Sequence, residues 1–105
     1  MTNKFLQFLG LTKRAGNLIE GYNKCEEFIK KNKKIYCIII SNDVSENTKK
    51  KFLNYCSEYN IPIINEYTKS QLGSILGISE INIIGVCNKG MSNKLIELWK
   101  QEKES

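Results

Sequence analysis

The run Ile35-Tyr36-Cys37-Ile38-Ile39-Ile40 decides how this chain folds, because six consecutive apolar residues, mostly β-branched, suit a central strand covered on both faces. A strand of that kind requires helices on each side of its sheet. Upstream of it, Cys25, Phe28 and Ile29 recur at helical spacing from Gly21 to near Lys31, preceded by a short strand over Leu18 to Glu20. Earlier still, Phe5, Leu6, Phe8, Leu9 and Leu11 predict a first helix over Asn3 to Lys13, stopping before Gly16.

Downstream, the polar turn Asn42-Asp43 leads to Ser45, which can cap a third helix with Phe52, Leu53, Cys56 and Tyr59 as its inner stripe and Lys49, Lys50 and Lys51 exposed. Ile61 to Ile64 reads as a strand. Thr68-Lys69-Ser70-Gln71 has the capping-box pattern, in which a hydroxyl and an amide satisfy each other's backbone donors; it opens a fourth helix with Leu72, Ile75 and Leu76 inward and Gly77 as its stop. Ile81 to Cys87 is the last strand. Met91, Leu95, Leu98 and Trp99 line a final helix, and Gln101 to Ser105 is polar enough to fray. Helices alternating with strands imply right-handed crossovers and an α/β fold, a three-layer α/β/α sandwich with a sheet at least partly parallel. With no repeat, no linker and only one proline, Pro62, residues 1–105 are expected to form a single domain.

Composition narrows the chemistry. The sequence has no histidine, so neither a Ser-His-Asp nor a Cys-His pair can be built. Cys25, Cys37, Cys56 and Cys87 form no C-x-x-C pair and read as small core residues rather than metal or redox ligands. Gly10, Gly16 and Gly21 fit no phosphate-cradling motif. Glu26 and Glu27 diverge by about 100° on a helix and read as solvated charges rather than an acid/base pair. An enzyme is not expected, nor any cofactor or metal. No stretch approaches the roughly 20 apolar residues of a membrane span, and the N-terminus lacks a signal-peptide core, so a cytoplasmic location is expected.

Charge points toward polyanions without settling the matter. Of the net +5, residues 1 to 51 carry eleven Lys/Arg against five Asp/Glu, and residues 52 to 105 carry five against six. Such asymmetry suits RNA or DNA, and it equally suits solubility. Fifteen of the sixteen basic residues are Lys in a sequence rich in Asn, Ile and Tyr, a bias resembling AT-rich coding that weakens any argument from lysine number. The clusters Lys30-Lys31-Lys33-Lys34 and Lys49-Lys50-Lys51 read first as solvated faces. Gly16 to Lys24 is more informative. There a short strand and Gly21 open directly onto a helix, whose free amides attract phosphate and whose Asn23 and Lys24 could reach base edges. An ordinary glycine-mediated helix start accounts for the same residues, and local physics ranks it slightly ahead.

Across the chain, Arg14-Ala15-Gly16-Asn17-Leu18-Ile19-Glu20-Gly21-Tyr22-Asn23-Lys24, Ile38-Ile39-Ile40-Ser41-Asn42-Asp43-Val44-Ser45, Asn60-Ile61-Pro62 and Leu72-Gly73-Ser74-Ile75-Leu76-Gly77 together resemble the kink-turn-binding ribosomal proteins. That family includes archaeal ribosomal protein seven-Ae and eukaryotic ribosomal protein thirty-e. Leu9-Gly10-Leu11 and Ser45-Glu46-Asn47-Thr48-Lys49-Lys50 are closest to its bacterial YlxQ-like branch. The resemblance implies a mixed four-stranded sheet, no cofactor, and a ribosome-associated, monomeric binder of RNA that bends sharply beside tandem sheared G·A pairs. By position it implies that Gly21, Tyr22, Asn23 and Lys24 enter the RNA groove. It adds the turn Asn42-Asp43, and it sets Ile78, Ser79, Glu80 and Ile81 on a bulged nucleotide, with Lys13, Arg14 and Lys30 near phosphates.

One position departs from the family pattern. Kink-turn binders commonly carry a lysine three residues after the position of Lys24, where this chain has Glu27; Lys24 or Lys30 could compensate from the same side of the helix. A module that kept the fold for protein contacts and lost kink-turn specificity is the second reading. A third, the substrate-binding part of an RNA methyltransferase, would need a catalytic domain that is not expected after Ser105.

Overall fold

The computed structural model describes residues 3–104, and the order of elements follows the sequence: α1 (Lys4–Arg14), β1 (Leu18–Glu20), α2 (Tyr22–Lys30), β2 (Cys37–Ile40), α3 (Glu46–Tyr59), β3 (Ile63–Ile64), α4 (Lys69–Leu76), β4 (Ile83–Val86) and α5 (Lys89–Glu104). All four residues of β2 are buried, as its unbroken apolar run requires. Their side chains alternate: Ile38 and Ile40 pack with Cys25, Ile29, Phe52 and Cys56 from α2 and α3, whereas Cys37 and Ile39 pack with Phe5, Leu9, Leu72, Leu95 and Leu98 from α1, α4 and α5. The result is a three-layer α/β/α sandwich.

The sheet is mixed, with strand order β1-β4-β2-β3. Only β2 and β3 pair in parallel, Ile38 facing Ile63, while β4 is antiparallel to both β1 and β2. β3 is shorter than the expected Ile61 to Ile64, because Pro62 has no amide to give; its carbonyl instead accepts from Ile38 N at 2.9 Å. Cys25, Cys37 and Cys56 are buried and Cys87 half-buried; burial pushes the first three thiols up to about 12, 11 and 11 respectively.

Several side chains do not face where periodicity put them. Leu53, Tyr59, Ile75 and Leu11 are 41%, 42%, 36% and 46% exposed. Next to Leu11, Thr12 takes the buried slot, made tolerable by its hydroxyl donating to Phe8 O at 2.7 Å. The expected frayed end is helical through Glu104, and Ser105 lies outside the described residues. Tyr67, stacked on Phe5, donates to Glu102, and Trp99 donates to Glu66 at 3.0 Å, so tertiary contacts hold a polar last turn.

Candidate functional site

The carboxyl ends of β1, β2 and β3 lie at one end of the sheet, beside the start of the antiparallel β4, and the chain closes that end with backbone hydrogen bonds. Gly21 N donates to Ile83 O at 2.9 Å, Ser41 N to Asn82 O at 2.9 Å and Asn42 N to Tyr67 O at 2.8 Å. This brings together the start of α2, the turn after β2, the start of α4 and the approach to β4, which the sequence places far apart.

The helices that begin here are not built alike. Ser45 accepts from Thr48 N at the start of α3. At α4 the Thr68–Gln71 capping box is complete, and Lys69 N also donates to Asp43 Oδ1 at 2.9 Å, which holds the Asp43 carboxyl below its usual range. The N-cap of α2 is Gly21, with φ of 100° and no side-chain cap. That left-handed-side φ is open only to glycine at low cost, and a Cβ added there would meet nothing within 4 Å, so the backbone faces open space. The amides of the first turn are therefore available to an external acceptor.

At this start Asn23 and Lys24 are exposed, and Arg14, at the end of α1, is exposed as well. Lys24, Glu27 and Phe28 of α2 line a groove of about 520 Å³ whose other wall is Leu18, Ile19 and Glu20 of β1. The edge of β1 was not singled out from the sequence as part of a site, since only the fold sets it opposite Lys24. Tyr22 turns inward: its ring packs edge-on against Phe52 at 5.3 Å with Lys51 above it at 5.2 Å, which leaves mainly its backbone for a ligand.

Other expected residues have internal partners. Lys13 lies 3.1 Å from Glu20 and donates to Leu76 O at 3.0 Å, bracing β1 against the end of α4. Asn42 Nδ2 donates to Glu66 O at 3.1 Å. Glu27 pairs with Lys31 at 2.8 Å, which lowers its pKa and keeps it anionic in the groove wall. Lys30 sits 3.9 Å from Glu26. Glu26 is not the solvated charge expected: Lys51 at 2.7 Å and the Tyr55 hydroxyl at 2.8 Å bind it, tying α2 to α3 and lowering its pKa.

The segment Ile78 to Ile81 splits by role. Ile81 is 8% exposed and belongs to the core, whereas Ile78 is 40% exposed and Ser79 and Glu80 are exposed beside it. Gly73 sets their position, and the sequence did not reveal this. A Cβ on Gly73 would stand 2.5 Å from Glu80 Cα and 2.8 Å from Ser79 C, so the loop lies directly on the backbone of α4. Ile78 N to Gly73 O at 2.9 Å, Ile81 N to Lys69 O at 3.1 Å and Lys69 to Glu80 at 3.6 Å fasten it there. Among the described residues no His/Cys/Asp/Glu group could hold a metal, and no helix is long and apolar enough to cross a membrane.

An α/β/α sandwich with an uncapped helix start at one end of a mixed sheet describes a recognised class. The chain belongs to the Ribosomal protein L7Ae/L30e/S12e/Gadd45 family, whose sequence pattern matches residues 3–96. It is similar to the protein named RNA-binding protein YlxQ from Enterococcus faecium, 32% identical over 95 residues that cover 90% of each chain. The protein of the same name from Bacillus subtilis (strain 168) is 28% identical over 95 residues, covering 90% of this chain and 94% of that one. These likenesses agree with the bacterial YlxQ-like branch. A solved structure of a protein with unknown function from Bacillus halodurans C has a TM-score of 0.89 at 33% identity, over 94% of this chain and 99% of that one. The Giardia lamblia 15.5kD RNA binding protein, 15% identical with a TM-score of 0.73 over 91% and 82% of the two chains, shares the fold.

Proposed function

We propose that this protein binds structured RNA without catalysis and that its target is a kink-turn-like bend, stabilised because the bent form presents more contacts than the straight one. The observation that carries this reading is the uncapped start of α2, where free amides, Asn23 and Lys24 stand exposed beside an open groove. Amides there suit a phosphate, and an amide side chain next to a lysine suits purine edges. Ile78 offers an apolar cover for an unstacked base. Arg14 supplies an exposed positive charge for the backbone. Similarity to two relatives named RNA-binding proteins supports an RNA partner, and the ribosomal proteins in the family's name support a ribosomal or translation-associated setting. A cytoplasmic, monomeric protein without a cofactor fits this role.

The test is a titration of a kink-turn RNA against the same RNA with its G·A pairs replaced, at fixed salt. The proposal expects clear discrimination and an affinity that falls steeply with salt; equal affinities would refute kink recognition. Glu27 favours a second reading, a protein-interaction module of the same fold, because an ionised acid in the groove wall opposes phosphate. Indifference to both RNAs together with a co-purifying protein partner would favour that reading.

A further inference from the structure

Of the cluster Lys30-Lys31-Lys33-Lys34, the last two take no part in the site above. They follow the far end of α2. There a small recess of about 120 Å³ has a floor of Ile29, Ile35 and Ile61, a wall of Tyr59, and Lys33 and Lys34 at its rim. Each flanking helix ends next to a left-handed asparagine, Asn32 and Asn60, both with φ of 56°, so the chain turns sharply into β2 and toward β3 and leaves the space between open.

Tyr59 is unusual among the tyrosines. Tyr22, Tyr55 and Tyr67 have ring or hydroxyl partners; Tyr36 and Tyr59 have neither among the described residues, and of these two Tyr36 is half-buried whereas Tyr59 is 42% exposed. Lys34 likewise has no ion pair among the described residues, and Lys33 rests 5.1 Å over the Phe28 ring. No acid lines the recess. Glu27 is held by Lys31 at 2.8 Å, and Glu58, one position before Tyr59, points about 100° away around the helix.

We infer that this recess is a second RNA contact, a seat on which one unpaired base stacks against Tyr59 while Lys33 and Lys34 hold the adjoining phosphates. The inference extends the RNA reading above to a different part of the surface and a different RNA feature, a single strand. Its volume is well below the roughly 300–1,000 Å³ of a small-molecule site, which argues for one ring rather than a cofactor. An apolar floor with an aromatic wall suits any base, because every base has a π-face, and the lysines supply the charge for its backbone. α2 has nine residues, so the recess lies about 13 Å from the helix start at 1.5 Å per residue, within reach of a strand leaving RNA held there.

The test uses the whole protein and a short, unstructured, fluorescein-labelled single-stranded RNA at low salt, read by anisotropy. Wild type binds; Tyr59→Leu weakens binding about tenfold, the scale of one lost base–aromatic stack; Tyr59→Phe keeps it. K33Q/K34Q weakens binding and flattens its salt dependence. Asn23→Ala with Lys24→Ala abolishes preference for the kinked RNA, and in that background Tyr59→Leu still weakens strand binding about tenfold. No binding by wild type, equal binding by Tyr59→Leu, or a loss in Tyr59→Phe as large as in Tyr59→Leu would overturn the inference. Tyr59-dependent strand binding without kink-turn discrimination would leave the recess standing while the first reading falls. Discrimination with strand binding indifferent to Tyr59 would do the reverse.

Discussion

The starts of α2 and α4 open at the same end of the sheet and treat their free amides in opposite ways. At α4 the Thr68 hydroxyl accepts from Gln71 N at 3.1 Å, the Gln71 side chain accepts from Thr68 N at 2.9 Å, and Asp43 accepts from Lys69 N at 2.9 Å. At α2 a glycine with no side chain caps nothing. Glycine in place of a capping side chain costs only about a few tenths of a kcal/mol, so the start of α2 is left open at little expense in stability. The difference teaches where to look for a ligand: the capped start is finished within the protein, and the uncapped one has donors left for something else.

Changes on both sides test this contrast. Gly73→Ala should have the largest effect, since its methyl group must displace backbone at Ser79 and Glu80. A stability loss of about 1–3 kcal/mol by chemical denaturation is expected, together with weaker RNA binding as Ile78 leaves its place. Unchanged stability would mean that the loop is not seated on α4 as described. Asn23→Ala combined with Lys24→Ala should leave the denaturation midpoint nearly unchanged and lower affinity for kinked RNA about 10- to 100-fold, the range for losing base-edge contacts. Thr68→Ala should show the opposite profile, costing about 1 kcal/mol of stability while RNA affinity stays put.

The smallest effect is pH-dependent and lies away from both helix starts. Lys51 first, then the Tyr55 hydroxyl, and more weakly Lys30, lower the pKa of Glu26. A carboxyl whose folded pKa lies below its unfolded one gives its stabilisation in full above the usual carboxylate range of about 4.3 and loses it as the pH falls through the folded value. Glu26→Gln should therefore cost less than about 1 kcal/mol at neutral pH, given solvent screening, and the deficit should close in acid. A deficit independent of pH would show that the carboxylate charge is not what joins α2 to α3.

Much of this contrast was legible in the sequence, for local reasons. The Thr68–Gln71 box and the Ser45 cap are signals within four residues, and the β-branched run before Ser41 gave the central strand. What stayed hidden was set by contacts distant in sequence. Gly73 looks like any helix glycine until Glu80 is found against it. Ile78 and Ile81 have the same chemistry, and only the fold buries one and exposes the other. Lys13 and Lys51 counted as free positive charge until β1 and α2 brought Glu20 and Glu26 to them. Tyr59 passed for a core residue because the stripe of α3 was drawn too wide.

The most direct test compares the two helix starts in one experiment, following backbone amide resonances as kink-turn RNA is added to the whole protein. If RNA docks at the uncapped end of α2, the amides of Tyr22, Asn23 and Lys24 should shift strongly and saturably, while those of Lys69, Ser70 and Gln71 change little. Shifts concentrated at the capped α4 start, or spread evenly over the lysine-bearing surface, would contradict it.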